Sequence, residues 1–155
     1  MDFLTLLDPV TSHRFDVTID GEHLGMFTGC QGMSASIEMV EYREGGQNGF
    51  SYRLPGRVTF TPIVLTRAIE TVTGSLAGWF TAWQGKGGGG KTGAITAYNG
   101  LMLQIAQWNL LDVYPSRWSG PTFGIDGTTA VTEQLEIVHH GFMTSGIGLP
   151  SVPGV

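Results

Sequence analysis

A chain of 155 residues with 41% hydrophobic and only 14% charged side chains is long enough for one domain with its own core, and too apolar for disorder. Its formal net charge of −5 excludes a broadly basic surface for nucleic acid, and its single cysteine, Cys30, excludes an internal disulfide and any cysteine-based zinc cluster. Charged residues fall well short of the roughly one quarter usual in soluble domains, which predicts a surface largely covered by other subunits.

Along the chain, residues 14–20 (RFDVTID) place Phe15, Val17 and Ile19 on one face and Asp16, Thr18 and Asp20 on the other, the period of a strand with one wet face. Asp20-Gly21 predicts a hairpin turn, with a second strand over about 22–28. Residues 29–32 (GCQG) read as a break. Met33, Ala35, Ile37 and Met39 then alternate with polar residues as a third strand, which runs into a long excursion. Glu41, Tyr42, Arg43 and Glu44 lead into Gly45-Gly46, then Asn48-Gly49, then Leu54-Pro55-Gly56, before Val58 opens the next apolar run. Hairpins usually close in two to five residues, so a loop of about a dozen with three turn signals is expected to reach outside its own sheet.

Val58, Phe60, Val64 and Leu65 predict a fourth strand, with Pro62 marking an edge or a bulge because proline cannot donate to a central ladder. Leu76, Trp79, Phe80 and Trp83 fall at i, i+3, i+4 and i+7 and predict a helix, with Thr73 or Ser75 as cap and Ile69 and Val72 as a backward extension. Residues 84–93 (QGKGGGGKTG) read as a flexible loop. A fifth strand is expected from Leu101 through Leu103 and Ile105 to Leu110, entered at Asn99-Gly100. Pro115 and Gly120-Pro121 punctuate the next segment, and Val131, Leu135 and Ile137 mark the last strand. From Gly141 the chain reads as a tail. The fold class expected is mainly β: a small antiparallel β-barrel or sandwich of two packed sheets with one α-helix. The division expected is an N-terminal arm over 1–12, one β domain over 13–142 and a Gly/Pro-rich tail over 143–155.

Chemistry-bearing patterns are few. Residues 85–92 match the phosphate-loop pattern G-x-x-x-x-G-K-[ST], but that chemistry needs a strand before the loop and a helix after it; here a helix precedes and a strand comes after. A flexible lysine-tipped loop is the better reading, and a nucleotide-binding protein the alternative from another class. His139 and His140 are neighbours on a strand and point to opposite faces, so they do not share a metal, and His13 and His23 are distant. Ser34, Ser36, Ser51, Ser75 and Ser119 lack a nucleophile elbow. Cys30 reads equally as a small buried residue or a thiol. Trp79, Trp83, Trp108, Tyr114 and Trp118 read as core and interface rather than base-stacking groups, given the negative net charge. No catalytic, cofactor or metal residue is assigned.

Taken together, FDVTIDG (15–21), EYREGG (41–46), LPG (54–56), VLTR (64–67), the Trp79–Trp83 stretch, WNL (108–110), YPSRW (114–118), Gly120-Pro121 and EQLEIVHHG (133–141) resemble the phage tail tube family. That family is shared by contractile phage tails and extracellular contractile injection systems, and the resemblance spans residues 13–142. It implies a two-sheet β fold assembling into hexameric rings that stack as a hollow tube, with a sheath protein outside, baseplate or hub and cap proteins at the ends, and effector or DNA as cargo. An adaptor of the same fold that initiates the tube is the alternative within that machine. By the same resemblance, Glu41, Tyr42, Arg43, Glu44, Gly45, Gly46, Asn48, Gly49, Leu54, Pro55 and Gly56 form the contact loop between subunits and rings, and Glu133 lies in the closing strand. Ala68 departs from the family, which commonly has glycine there. Asp16 and Glu38 are the candidates for an acidic lumen. An acidic N-terminus and no apolar run near the ~20 residues of a membrane span predict assembly in the cytoplasm, without a signal peptide.

Overall fold

The computed structural model of the chain describes residues 13–46, 49–69, 76–84, 89–121, 125, 127 and 131–143. Strand β1 (Arg14–Ile19) turns at Asp20-Gly21 into β2 (Glu22–Phe27). Asp20 and Gly21 have φ of 54° and 78°, the two positive values that a two-residue hairpin of matching twist requires. A short β3 (Gly29–Gln31) comes next, then β4 (Ala35–Tyr42), β5 (Tyr52–Phe60), β6 (Ile63–Ala68), helix α1 (Leu76–Trp83), β7 (Lys91–Tyr98), β8 (Gln104–Ser119), β9 (Thr132–Val138) and β10 (Gly141–Phe142).

All pairings are antiparallel, in the order β2-β1-β7-β8-β9-β6-β3, with β10 added on β8. Sixteen-residue β8 belongs to both layers. Its first half pairs with β7 and its second with β9. Between them the register slips near Leu111 and Asp112, where Asp112 takes φ 49°, a bulge that lets one strand turn from one layer to the other. Gly90 permits this bend: a Cβ there would lie 2.4 Å from Asp112 Cα. The inward face of each strand supplies the core. Val17, Phe27, Ile95 and Leu110 from one layer meet Ile63, Leu65, Leu135 and Ile137 from the other, all fully buried. Each such side chain contributes about 1.5–3 kcal/mol by leaving water.

The barrel expected as one option is not closed, because β2 and β3 end the hydrogen-bonded path. The link between them is tied to β6, where Thr28 N–H donates to the Thr66 carbonyl at 2.9 Å. Several boundaries also differ from expectation. Residues 29–31 are strand, since Cys30 pairs with Leu65. Pro62 divides the expected fourth strand into β5 and β6, and only β6 enters the body. Leu54-Pro55-Gly56 lies inside β5 rather than forming a turn. Lys91, Thr92 and Gly93 already belong to β7, and Leu101–Leu103 turn before β8 begins at Gln104. Pro115 sits within β8, at a second slip of register that accommodates its missing donor. Gly141–Phe142 pairs with β8 instead of starting a tail. Ile69 is not helical, and Val72, Thr73 and Ser75 lie outside the described residues.

Gly32 shows how tightly the body meets the segment after β5. It has φ +90°, and a Cβ there would fall 2.1 Å from the Pro62 carbonyl oxygen. Gly32→Ala combines a forbidden φ with a backbone overlap and is expected to cost about 3 kcal/mol. A urea unfolding curve with an unchanged midpoint would contradict this.

Candidate assembly interface

β4 and β5 form a separate two-stranded sheet, an arm rather than the loose loop expected. Its ladder runs Ala35↔Phe60, Ile37↔Val58, Met39↔Pro55, Val40↔Leu54, Glu41↔Arg53 and Tyr42↔Tyr52. The register slip between Ile37 and Met39 gives Gly56 a place close against β4, where a Cβ would lie 3.2 Å from the Glu38 carbonyl oxygen. At the tip Gly46 takes φ +111° and Gly45 does not. Ser51 hydrogen-bonds Glu41 across the hairpin, and Phe50 meets Tyr52 edge-on with centroids 5.0 Å apart. Asn48 lies outside the described residues, and Gly49 is exposed.

Every residue of β4, and all of β5 but Phe60, is exposed. Opposed residues share a face, so Ile37, Val58, Met39 and Pro55 make an apolar patch on one face, bordered by Glu41 and Arg53, while Val40, Leu54, Tyr42 and Tyr52 make another on the opposite face, which also carries Ser36, Glu38 and Thr59. Met39, Leu54 and Tyr42 remain 56%, 54% and 53% accessible. A ribbon whose two faces are both apolar gains nothing from facing water, and an isolated two-stranded ribbon is marginal by itself. Both faces and both edges therefore call for cover by other protein.

The body presents a contrasting surface. On the outer side of the β1-β7-β8 layer stand two rungs, Asp16–Thr96–Gln107 and Thr18–Ala94–Asn109. Gln107 Nε2 donates to Asn109 Oδ1 at 3.2 Å. Asp16 is on this face, paired with His23 Nε2. Glu38 is on the arm, so the two candidate acidic positions are not brought together. The β7–β8 turn is a smaller apolar tip: Leu101, Met102 and Leu103 are exposed, held by Asn99 Oδ1, which accepts from the Leu101 and Leu103 amides at 3.0 Å each.

Helix α1 explains the aromatic stripe. Leu76 is buried, Trp79 and Trp83 meet at 5.9 Å, and Trp83 meets Tyr114 at 6.1 Å. A cleft of about 260 Å³ beside it is lined by Trp79, Trp83, Ile19, Glu22 and the Lys91–Asp20 ion pair of 3.2 Å. Lys91 and Thr92 open a strand rather than a helix, so no helix N-terminus stands over the end of the glycine-rich run. Gly85–Gly88 lies outside the described residues. Burial pushes the Cys30 thiol up to about 11, which keeps it protonated and a poor nucleophile at neutral pH. Among the described residues no three His, Cys, Asp or Glu side chains gather as metal ligands.

One constellation escaped the sequence reading. Arg67 and Glu133 are directly opposed on β6 and β9, both buried, with Arg67 Nε donating to Glu133 Oε1 at 2.6 Å. Trp118 Nε1 donates to Glu133 Oε2 at 3.2 Å, and Arg67 Nη1 donates to the Leu24 carbonyl at 2.8 Å. The clue lay in the alternation itself. Arg67 continues the inward series Ile63, Leu65, and Glu133 begins the inward series Leu135, Ile137.

A two-layer sandwich carrying an arm that is apolar on both faces defines a subunit made for assembly. The family model for the T4-like virus tail tube protein gp19 matches residues 11–143, and the chain belongs to that family. Among solved structures it is similar to a chain of the PVC sheath–tube complex of an extracellular contractile injection system in the extended state. The two are 20% identical over 92% of this chain and 97% of that one, with a TM-score of 0.73. The tube-terminating cap of the anti-feeding prophage is 22% identical over 87% and 89%, with a TM-score of 0.70. The six-fold symmetrised baseplate of the same prophage holds a chain 20% identical over 85% and 91%, with a TM-score of 0.68. At these identities the likeness is one of fold. No curated protein sequence matches the chain.

Proposed function

We propose that this chain is the repeating subunit of a hollow inner tube in a contractile phage tail or a phage-tail-like injection system, built from stacked hexameric rings. The arm carries the reading. Its two apolar faces differ in composition, and a head-to-tail contact between unlike surfaces closes into a ring or extends as a stack. Glu41–Gly46, Asn48, Gly49 and Leu54–Gly56 are then the clasp between neighbours, with Gly46 supplying the positive φ at its tip. Asp16 and Glu38 are the proposed acidic positions of the lumen wall, Asp16 within the polar face of Thr18, Thr96, Gln107 and Asn109. That face, mostly uncharged, suits the passage of a protein effector or DNA without adhesion. The role is structural and needs no catalytic group, cofactor or metal.

Similar chains stand in a sheath–tube complex, a terminating cap and a baseplate, which supports a sheath, a cap and a baseplate as partners. Because one of them stands in a baseplate, a tube-initiating adaptor is the second reading. Negative-stain imaging of the purified chain tests the proposal. Rings or tubes with a central bore are expected; a monodisperse monomer with an intact arm contradicts it. In whole particles, many copies support the tube subunit, and about six, one ring's worth, make the chain an adaptor.

A further inference from the structure

We propose that His139 is a proton-sensitive latch holding the arm to the body of the subunit. The inference concerns the single chain and stands apart from the tube. The arm joins the body through a narrow root. Ser34 and Thr61 hydroxyls meet at 2.7 Å, and Thr61 N–H donates to the Ser34 carbonyl at 3.2 Å. Just above this joint Phe60, the one residue of the arm strands that is not exposed, enters a pocket of the body. Its ring lies 5.3 Å from the His139 imidazole and 5.9 Å from Phe142, and His139 and Phe142 are 4.9 Å apart. Gly141, at φ +142°, leaves room for it: a Cβ there would sit 3.3 Å from Phe60 Cζ.

His139 is 5% exposed and holds this pocket in its neutral form. In the tautomer with its proton on Nε2, the Gly141 amide donates to Nδ1 at 3.3 Å. Nε2 is buried without a well-formed hydrogen bond, and the Thr61 backbone, at the arm's root, faces the ring. A second proton would have to enter at Nδ1. The Gly141 N–H bond would then be lost, and Nδ1–H would turn to the Gly141 carbonyl, 3.4 Å away. That turn reshapes the 139–141 corner against which Phe60 rests, and leaves a buried imidazolium with no carboxylate of the described residues beside it.

Few charges surround the ring to offset it. Phe60 and Thr61 on the arm side are neutral, as are Gly141 and Phe142 on β10. His140, the neighbouring residue, points to Asp112 Oδ2 of β8 at 3.4 Å and against the Tyr114 ring at 5.9 Å. Burial holds the His139 pKa below the usual histidine value and His140 adds to the lowering, while the Gly141 and Thr61 backbones act the other way. With the arm seated, His139 resists protonation; with the arm released, it titrates near the ordinary ~6.5. Latching is therefore complete above that value and weakens as pH falls, until the seated ring itself accepts a proton.

Hydrogen exchange of the full chain at stepped pH, corrected for intrinsic rates, reads the opening at the Thr61 and Gly141 amides, whose acceptors are the Ser34 carbonyl and His139 Nδ1. Opening is expected to rise up to about tenfold per pH unit below ~6.5, in the native chain and in His140→Gln alike. His139→Phe, which fills the pocket with an uncharged ring, should flatten the response. A native chain without this dependence, or a His139→Phe chain that retains it, overturns the proposal. If His139→Phe does not fold, an NMR titration of the native imidazoles decides: the His139 ring must titrate with the opening of the arm root, and a mismatch overturns the latch.

Discussion

Arg67→Ala is expected to lower the unfolding free energy by about 3–5 kcal/mol, the cost of leaving a buried charge without its partner. The guanidinium is 2% exposed and joins its own strand, β6, to two others. It pairs with Glu133 on β9, donates to the Leu24 carbonyl on β2, and stands 5.5 Å over the Phe27 ring. The contact to Leu24 matters most for the fold, because β2 and β3 end the hydrogen-bonded path and Arg67 crosses the opening between them. Gly25 makes way for it: a Cβ at that residue, which has φ +112°, would lie 2.9 Å from Arg67 Nη1. Without the arginine, Glu133 retains only the Trp118 N–H, and the Leu24 carbonyl loses its donor as well. The double change Arg67→Met with Glu133→Leu removes both charges and should recover most of the loss, since a packed apolar pair commonly matches a buried ion pair. Urea denaturation with a constant m-value is the measurement. A single-variant loss below about 1 kcal/mol would show that the pair is wet and incidental.

The second large effect is on assembly rather than stability. Val40→Asp with Leu54→Asp places two carboxylates opposite each other on one face of the arm. Both side chains are half exposed in the single chain, at 50% and 54%, so the fold should change by no more than about 1 kcal/mol. Covered by a neighbour, the same two charges would be buried without partners, at a cost of several kcal/mol for each. Sedimentation velocity and imaging should therefore find a folded monomer where the native chain, on the proposed function, is expected to form rings or tubes. Met39→Asp probes the opposite face alone. Tubes that persist in the double variant would remove the Val40–Leu54 face from any interface.

The β1–β2 hairpin and the helix were legible because their signals are local. Asp20-Gly21 demands positive φ whatever surrounds it, and the spacing from Leu76 to Trp83 turns one stripe inward on any helix. The family resemblance over 13–142 agrees with the family match over 11–143. The arm was legible as a projection, and Ala35–Met39 and Val58–Phe60 as strand, but the outer halves of β4 and β5 and their pairing were not. Pro55 and Gly56 read as a turn because both disfavour regular strand; an exposed edge with a register slip tolerates them. Pro115 misled for the same reason. The 29–32 segment was hidden because a three-residue strand depends on its partner, β6, and not on its own period.

The sequence by itself determined the inward alternation of β1 and β9, the tight first hairpin, the aromatic helix, and the absence of a disulfide or cysteine–zinc scaffold. Tertiary structure alone decided that residues 35–60 leave the body as a ribbon bare on both faces, and that Arg67 and Glu133, separated by 66 residues, meet inside. The physical reason is the range of the forces involved. Alternation is a property of each strand and its φ/ψ, written locally. Which face is covered, and whether a buried charge finds its counter-charge, depends on the register between distant strands.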